Sequence, residues 1–393
     1  MNKNILAGEV QEYINNHLNG DVFTIAMAKS PFPEVSSKEL ANQIAARQKS
    51  AKKLPTWYQQ ELIYYPALLS IEQCSSESTA AYKSGLTIGE SLIDLTGGFG
   101  VDSLFFARKL KSVTHCEINP ELSEIAAHNA VVLKQSNMAF LSLDGIAYLQ
   151  ESSLHYDNIY IDPARRSTSG KVFMLKDCTP NVVEHLDLLL SKSKRIIVKT
   201  APLLDLSAGL KELKNVSEIH IVSVKNECKE LLWILENDAT GPVKIVCTTL
   251  NEQEKSFSFI KGEEDSEAEI PGLDLQQYLY EPDTALLKGG AFNLIASRYG
   301  LQKLHSQTQL YTSSKVLEDF PGRRFRIKGL IAPADLKKEK DLRGNVIARN
   351  YRDKAEQLVK KYKIKPDQQR FLIFTQSKKQ GYLVIDAQIE QHY

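Results

Sequence analysis

The chain has 393 residues with 49 Lys and Arg against 48 Asp and Glu, a formal net charge of +1, and 42% hydrophobic and 25% charged residues. That length exceeds what a single core usually fills, so two or three domains are expected, and the composition excludes wholesale disorder. No apolar run approaches the ~20 residues of a membrane span, and the five cysteines (Cys74, Cys116, Cys178, Cys228, Cys247) are scattered and never spaced CxxC, which excludes a disulfide framework and a zinc knuckle.

The opening Met1–Ala7 has one lysine before a very short apolar stretch, so no secretory signal is expected and the chain reads as cytoplasmic. Residues 1–85 read as mostly helical. Ser36 or Ser37 offers an N-cap ahead of Glu39 and an apolar-periodic run. Pro55, Pro66 and the Ser75-Ser76 pair interrupt the pattern, predicting several short helices.

From Glu90 short apolar runs alternate with amphipathic stretches. Strands are predicted over 91–95, 112–117, 139–143, 158–162, 195–199, 219–224 and 231–235. Helices are predicted over 102–110, 120–133, 182–190 and 206–213. Strands and helices at this spacing imply an α/β, doubly wound parallel sheet. Two further strands (243–250, 256–260) and an acidic loop at Glu263–Glu269 follow. The last region, 271–393, begins with a helix over 284–299 and continues with strands at 324–330, 345–348, 370–375 and 382–387 and a helix at 353–362, a small α+β fold. The expected division is therefore 1–85, 86–240 and 241–393.

The near-zero net charge hides an asymmetry. Between Arg323 and Lys365 fifteen basic residues face five acidic ones, leaving +10 there and −9 on the remainder. A basic module on a mildly acidic body is the footprint of a polyanion-binding protein such as one that binds RNA, or equally of a solvated, lysine-studded helix.

The most informative segment is Leu92-Ile-Asp-Leu-Thr-Gly-Gly-Phe-Gly-Val-Asp102. It places Asp94 at a strand end, with Gly98 and Gly100 in the turn that leads into a helix. Glycine permits the tight turn and close approach of backbone to a ligand, and the helix start offers unsatisfied N–H groups. Glu117, nineteen residues after Gly98, ends the second strand, where a carboxylate can accept both hydroxyls of a ribose. NAD binding competes, but the third glycine of GxGxxG is replaced by Ser103.

The pattern D-x-x-x-G-x-G resembles motif I of class I S-adenosylmethionine (SAM)-dependent methyltransferases. That resemblance implies a cofactor set of Asp94, Thr96, Gly98, Gly100, Glu117 and Ile118. It adds Asp144 and Gly145 after the third strand, where the superfamily reads the adenine amino group. Asp162-Pro-Ala-Arg-Arg166 follows the fourth strand, where the superfamily carries its catalytic D/N-P-P-x motif, so Asp162, Pro163 and Arg165 are the implied catalytic residues. Each of these pairs also has a plainer reading, Asp144-Gly145 as a turn and Asp162-Pro163 as a strand terminator.

Glu117–Ala130 looks like the corresponding region of RNA guanine-N2 methyltransferases. The whole chain resembles a bacterial family of methyltransferases with a helical N-terminal region and a THUMP-like (ferredoxin-like) C-terminal domain. Lys53–Trp57, Glu72–Lys83, Asp94–Gly100, Asp162–Arg166 and Leu317–Arg323 carry the likeness. The fold expected is a Rossmann-like methyltransferase sheet with those flanking parts. The segment Glu72–Lys83, just before the first strand, either lies over the cofactor as a lid or packs as an ordinary helix.

Methyl transfer from a sulfonium is an in-line displacement in which the protein holds two reactants in attack geometry. Asp162 and the carbonyl of Pro163 can accept the two hydrogens of a base amino group and localise its lone pair. Amino methylases of this superfamily usually follow D/N-P-P with an aromatic residue. This chain has Ala164 and Arg165, whose guanidinium can stack on a base or grip a phosphate. D-P-x-R is also similar to uracil-C5 methyltransferases, which need a cysteine nucleophile. The loop after the fifth strand, Lys199-Thr-Ala-Pro202, has none, and Cys178 reads as a packed core residue. Lys199 either lines the acceptor pocket or, as is commoner for a strand-end lysine, faces solvent. His115, His128, His185 and His220 fall within strand or helix patterns without metal-ligand spacing, so no metal is expected. The leading expectation is methylation of RNA, with the basic C-terminal region as its binding module. Methylation of a protein or small molecule, and a non-catalytic SAM-binding module, are the alternatives.

Overall fold

The computed structural model describes residues 1–165, 174–265 and 275–393, and the chain packs into two compact units. The first comprises Met1–Ser217 and Trp233–Thr240, the second Glu218–Leu232 and Gly241–Tyr393. Among the described residues no helix is long and apolar enough to cross a membrane.

The first unit opens with six helices: α1 (Gly8–Asn16), α2 (Val22–Met27), α3 (Ser37–Lys53), α4 (Pro55–Gln59), α5 (Leu68–Gln73) and α6 (Glu77–Gly85). Ser36, not Ser37, is the N-cap of α3. Its hydroxyl accepts the Glu39 amide at 3.2 Å while the Glu39 carboxylate accepts the Ser36 amide at 2.8 Å, a reciprocal capping box. Pro55 starts α4, where its missing N–H costs nothing.

The sheet follows in the same unit: β1 (Ser91–Asp94), α7 (Val101–Lys109), β2 (Ser112–Cys116), α8 (Pro120–Val132), β3 (Met138–Leu141), α9 (Gly145–Glu151), β4 (Tyr156–Ile161), the short antiparallel pair β5 (Ala164–Arg165) and β6 (Cys178–Thr179), α10 (Leu186–Lys192), β7 (Ser193–Thr200) and α11 (Leu206–Glu212). The parallel strands run in the order β7-β4-β1-β2-β3. The chain winds from β1 to β3 in one direction and then crosses back to lay β4 and β7 on the other side of β1. The expected doubly wound sheet is therefore present, with its switch point between β1 and β4, and the crevice at the carboxyl ends of those strands is where such sheets bind ligands.

The helix predicted over 182–190 begins only at Leu186. Before it the Asn181 side chain takes the Glu184 amide at 3.4 Å, a local bond that competes with helix formation. The N-terminal helices do not have a core to themselves. Leu40, Ile44, Trp57 and Ile71 pack in one buried cluster with Phe99, Val101, Leu104 and Phe105 around α7 and Ile125 of α8.

In the second unit, β8 (Val216–Val224, from Glu218 onward) pairs in parallel with β10 (Lys244–Leu250), which pairs antiparallel with β11 (Glu254–Ile260). Between β8 and β10 along the chain, β9 (Glu227–Glu236) gives Glu227–Leu232 to this unit and Trp233–Glu236 to the first. Of the acidic loop at Glu263–Glu269, residues 266–269 lie outside the described residues.

The rest forms β12 (Tyr278–Pro282), α12 (Thr284–Gly289), α13 (Phe292–Tyr299), β13 (Gln302–His305), β14 (Thr308–Ser313), β15 (Gly322–Ile331), β16 (Asn345–Ala348), α14 (Ala355–Tyr362), β17 (Arg370–Ser377) and β18 (Gly381–Gln391). Seven of these strands make one sheet in the order β13-β14-β12-β15-β18-β17-β16. The single helix predicted over 284–299 is two, because Gly290 takes the left-handed φ of +78° and ends α12. Strands β12, β13 and β14 are absent from the sequence reading. They are four to six residues long and mix Lys, Gln, Glu and Thr with apolar residues, so no clean alternation marks them.

Candidate active site

β1 delivers Asp94 to its carboxyl end, and the chain bends at once through Thr96–Gly100 into α7. Asp94 is buried (1% exposed) under this bend. It accepts the Thr96 amide at 3.0 Å and the Ser103 hydroxyl, so it braces the bend from beneath. Burial pushes its carboxyl up to about 7, against the pull of those two hydrogen bonds.

Gly98 sits at φ +55°, and a Cβ there would meet nothing nearer than the Thr96 carbonyl oxygen at 3.8 Å, so this face of the bend opens onto free space. Gly97 has the opposite constraint, since a Cβ would lie 2.2 Å from Nε2 of His115. The bend rests directly on that imidazole, which is fully buried, and burial pushes its pKa down to about 4, keeping the ring neutral. Phe99 points the other way, into the N-terminal core, with its ring 6.2 Å from Trp57.

Glu117, just past β2, closes one side of the cleft. Its Oε2 accepts the Gly98 amide at 2.8 Å and its Oε1 the Asn119 amide at 2.8 Å, which fixes the carboxylate against the glycine bend. Beside it Ile118 is a 70% exposed apolar side chain. Asp144 is the N-cap of α9. Its Oδ1 accepts the Ile146 and Ala147 amides at 2.8 and 3.2 Å, and its Oδ2 has no partner among the described residues. Gly145 is required by close approach, because a Cβ would lie 3.0 Å from the Cα of Leu95 at the start of the bend. Thr96, Gly98, Gly100, Glu117 and Ile118 thus gather at the bend, with Asp94 buried beneath it and Asp144 and Gly145 packed beside it.

Across the switch point, the Asp162 amide donates to Thr96 Oγ1 at 2.7 Å, tying the end of β4 to the bend. Its carboxylate is paired with Lys199 of β7. This corrects the commoner expectation that Lys199 faces solvent: its side chain is only 15% exposed. The reason is register, for β4 and β7 are parallel neighbours with Ile161 opposite Val198, so Asp162, just past β4, lies beside Lys199 of β7. Pro163 is buried and Ala164 exposed. Arg165 pairs through its backbone with Cys178 in the β5–β6 ladder, while its side chain, like the whole of Arg166, lies outside what is described.

Four participants escaped the sequence reading. Asp102, the second residue of α7, accepts the Ser75 hydroxyl at 2.8 Å and the Tyr160 hydroxyl at 2.9 Å on Oδ2, and Lys83 Nζ stands 3.2 Å from its Oδ1. Burial alone would raise the Asp102 carboxyl, but Lys83 first and Lys199 second, with the hydroxyls of Ser75 and Tyr160, hold it below the usual range. Lys83 is itself fully buried and also donates to Ser75 at 2.9 Å. The segment Glu72–Lys83 is therefore part of the site's foundation. Next to this cluster, burial pushes the Cys74 thiol up to about 11, which leaves it protonated and a poor nucleophile. Cys178 is fully buried. Among the described residues no group of three or more His, Cys, Asp or Glu is arranged to hold a metal ion.

Comparisons with known proteins bear on the family and the fold. A family model described as a ferredoxin-like domain matches residues 278–321, and one described as THUMP domain-like matches 322–386. An uncharacterized RNA methyltransferase of Mycoplasma mobile is 36% identical over 90 residues, which cover 23% of this chain; the chain spans a quarter of that relative's length. A crystal structure from Porphyromonas gingivalis W83, provisionally named a methyltransferase, is 30% identical, superposes with a TM-score of 0.87 and is covered over 99% of both chains. A match of that extent through both the switch-point site and the C-terminal sheet makes this chain a member of the same methyltransferase family as the P. gingivalis protein.

Proposed function

We propose that the protein transfers a methyl group from SAM to RNA, at a base and through an exocyclic amine. The observation that carries this is the 2.7 Å hydrogen bond from the Asp162 amide to Thr96 Oγ1, which fastens the backbone of the acceptor-side residue to the glycine bend. The residues present fit an adenosyl ligand. The bend is open above Gly98, Glu117 is oriented to take ribose hydroxyls, Ile118 offers an apolar face to the adenine, and Asp144 Oδ2 is available to its amino group.

Bound SAM supplies an electrophilic methyl on a sulfonium. Asp162 and the Pro163 carbonyl accept hydrogen bonds from the acceptor amine and direct its lone pair toward the bend, and the Asp162 carboxylate takes the proton that the nitrogen sheds on methylation. The gain comes from holding two reactants in line, which can supply about 7–11 kcal/mol of the barrier. Arg165 steadies the acceptor by stacking on the base or gripping its phosphate. In this reading 1–85 braces the site, 86–240 carries the transfer chemistry and 241–393 presents the RNA.

The RNA assignment draws on the THUMP domain-like match, the Mycoplasma relative's name and the basic segment. Within that segment Lys328, Lys337, Lys340, Arg352, Lys354, Lys360 and Lys363 are exposed and make no ion pair among the described residues. RNA of the cytoplasm is the corresponding target.

The test is nucleoside mass spectrometry of RNA from a deletion strain, followed by tritium transfer from labelled SAM onto that RNA. One modified nucleoside is expected to vanish and to be restored by the purified protein. Asp162→Asn should lower transfer by about 100-fold or more while SAM binding, read by calorimetry, persists. Identical nucleoside profiles would transfer the reading to a protein or small-molecule acceptor.

A further inference from the structure

The Lys83–Asp102 pair is unusual in its placement. Lys83 is fully buried, and taking an ammonium and a carboxylate out of water costs enough that a well-packed apolar pair would often serve stability as well. The pair also sits at a junction. Asp102 belongs to the helix that begins at the glycine bend, Tyr160 to the strand that ends in Asp162, and Ser75 and Lys83 to the N-terminal helical region. All of these meet on one carboxylate.

The charges there alternate. Asp162 is paired with Lys199, Lys199 is the second cation acting on Asp102, and Lys83 is the first. Tyr160 and Asp162, two residues apart, face the same side of β4, and Lys199 lies beside Asp162 in the β4–β7 register, so the Tyr160 hydroxyl brings Asp102 to the face that carries the Asp162–Lys199 pair.

We propose that Lys83 and Asp102 are positioning residues for methyl transfer: the buried pair satisfies Asp102 so that Lys199 stays on Asp162. Lys199 is paired with Asp162, and its charge also acts on Asp102 from the end of a flexible four-carbon stem. With Lys83 in place, Asp102 has its own cation. Without it, Asp102 keeps the Ser75 and Tyr160 hydroxyls but loses its paired cation, and the next cation acting on it is Lys199. The ammonium then moves toward Asp102 and leaves Asp162 unpaired and displaced. In this way the N-terminal region sets the geometry of the acceptor side without touching a reactant. The proposal rests on the methyltransferase reading for its kinetic consequence but not for its structural one.

Two measurements on the full chain separate these. The first is the proton–nitrogen resonance of the Lys199 ammonium in 15N-lysine-labelled protein, visible when pairing slows its exchange with water. The second is tritium transfer from labelled SAM onto RNA of the deletion strain, with SAM affinity by calorimetry. In Lys83→Met the Lys199 resonance is expected to shift or vanish and transfer to fall about 100-fold, as for a displacement near 1 Å, with SAM still bound. In the double variant K83M/D102N, which removes the competing carboxylate, both signals are expected to return toward wild type. A folded Lys83→Met protein with an unchanged Lys199 resonance overturns the proposal. So does a double variant that folds yet leaves Lys199 off Asp162, and this arm decides the matter if Lys83→Met does not fold. A wild-type protein inactive on RNA would sink the RNA reading alone, because the resonance does not depend on an acceptor.

Discussion

Asp94 illustrates how one residue can serve a site by being denied water. Its carboxyl holds the Thr96 amide and the Ser103 hydroxyl under the bend, yet burial pushes its pKa to about 7, above the ordinary value of 3.8. Between pH 3.8 and about 7 the folded protein keeps a proton that the unfolded chain has lost, so stability falls as pH rises through that window. Asp94→Asn keeps one acceptor oxygen for the Thr96 amide and replaces the other by an NH2 that can donate to the Ser103 hydroxyl, without the ionisation. It should leave stability near its wild-type level at pH 4 and raise it at pH 8, as read from urea midpoints at the two pH values. An equal change at both would mean that Asp94 is not the titrating group.

At the scale of elements, the join between α7 and the N-terminal helices decides how firmly the bend is held. Phe99 lies inside the bend and plugs into the same core as Trp57, Leu40 and Ile44. Motif and helical region are therefore one packing unit. Phe99→Ala should cost about 3–5 kcal/mol by removing a buried aromatic. It should also weaken SAM binding, because the bend loses its anchor on the side away from the cleft. Chemical denaturation together with calorimetry checks both, and a loss of stability with unaltered SAM affinity would show that the bend holds its shape without the plug.

For the molecule as a whole, the charge asymmetry sorts into two populations. Arg323 and Arg349 are engaged by the buried carboxylate of Glu281, and Arg370 by Glu339 and Asp386, so these serve the fold of the second unit. Lys354, Lys360 and Lys363, on and beside α14, are exposed and free of ion pairs among the described residues. If RNA binds there, replacing all three by Gln should weaken affinity and flatten the salt dependence by about 0.7 in slope for each phosphate of single-stranded RNA that is no longer neutralised. Affinity measured across a range of salt concentrations tests this, and an unchanged slope would place the RNA elsewhere on the surface.

Much of this was legible from the chain alone, for a physical reason. The glycine bend, the acidic residues after successive strands and the alternation of strand and helix are local signals, fixed by backbone sterics and by where a short loop must turn. Residues 94, 98 and 117 could therefore be singled out as candidates from the chain itself, and 144 and 162 through the resemblance to SAM-dependent methyltransferases. The partners that reach them are set by packing at long range. Lys83 looks like an ordinary polar residue at a helix end, and Lys199 like one at a strand end, until the β4–β7 register and the shared N-terminal core bring each to a carboxylate. Local sequence names the residues that bend or cap the chain. Only the folded interior, where an unpaired charge is too costly to keep, determines which charges must meet.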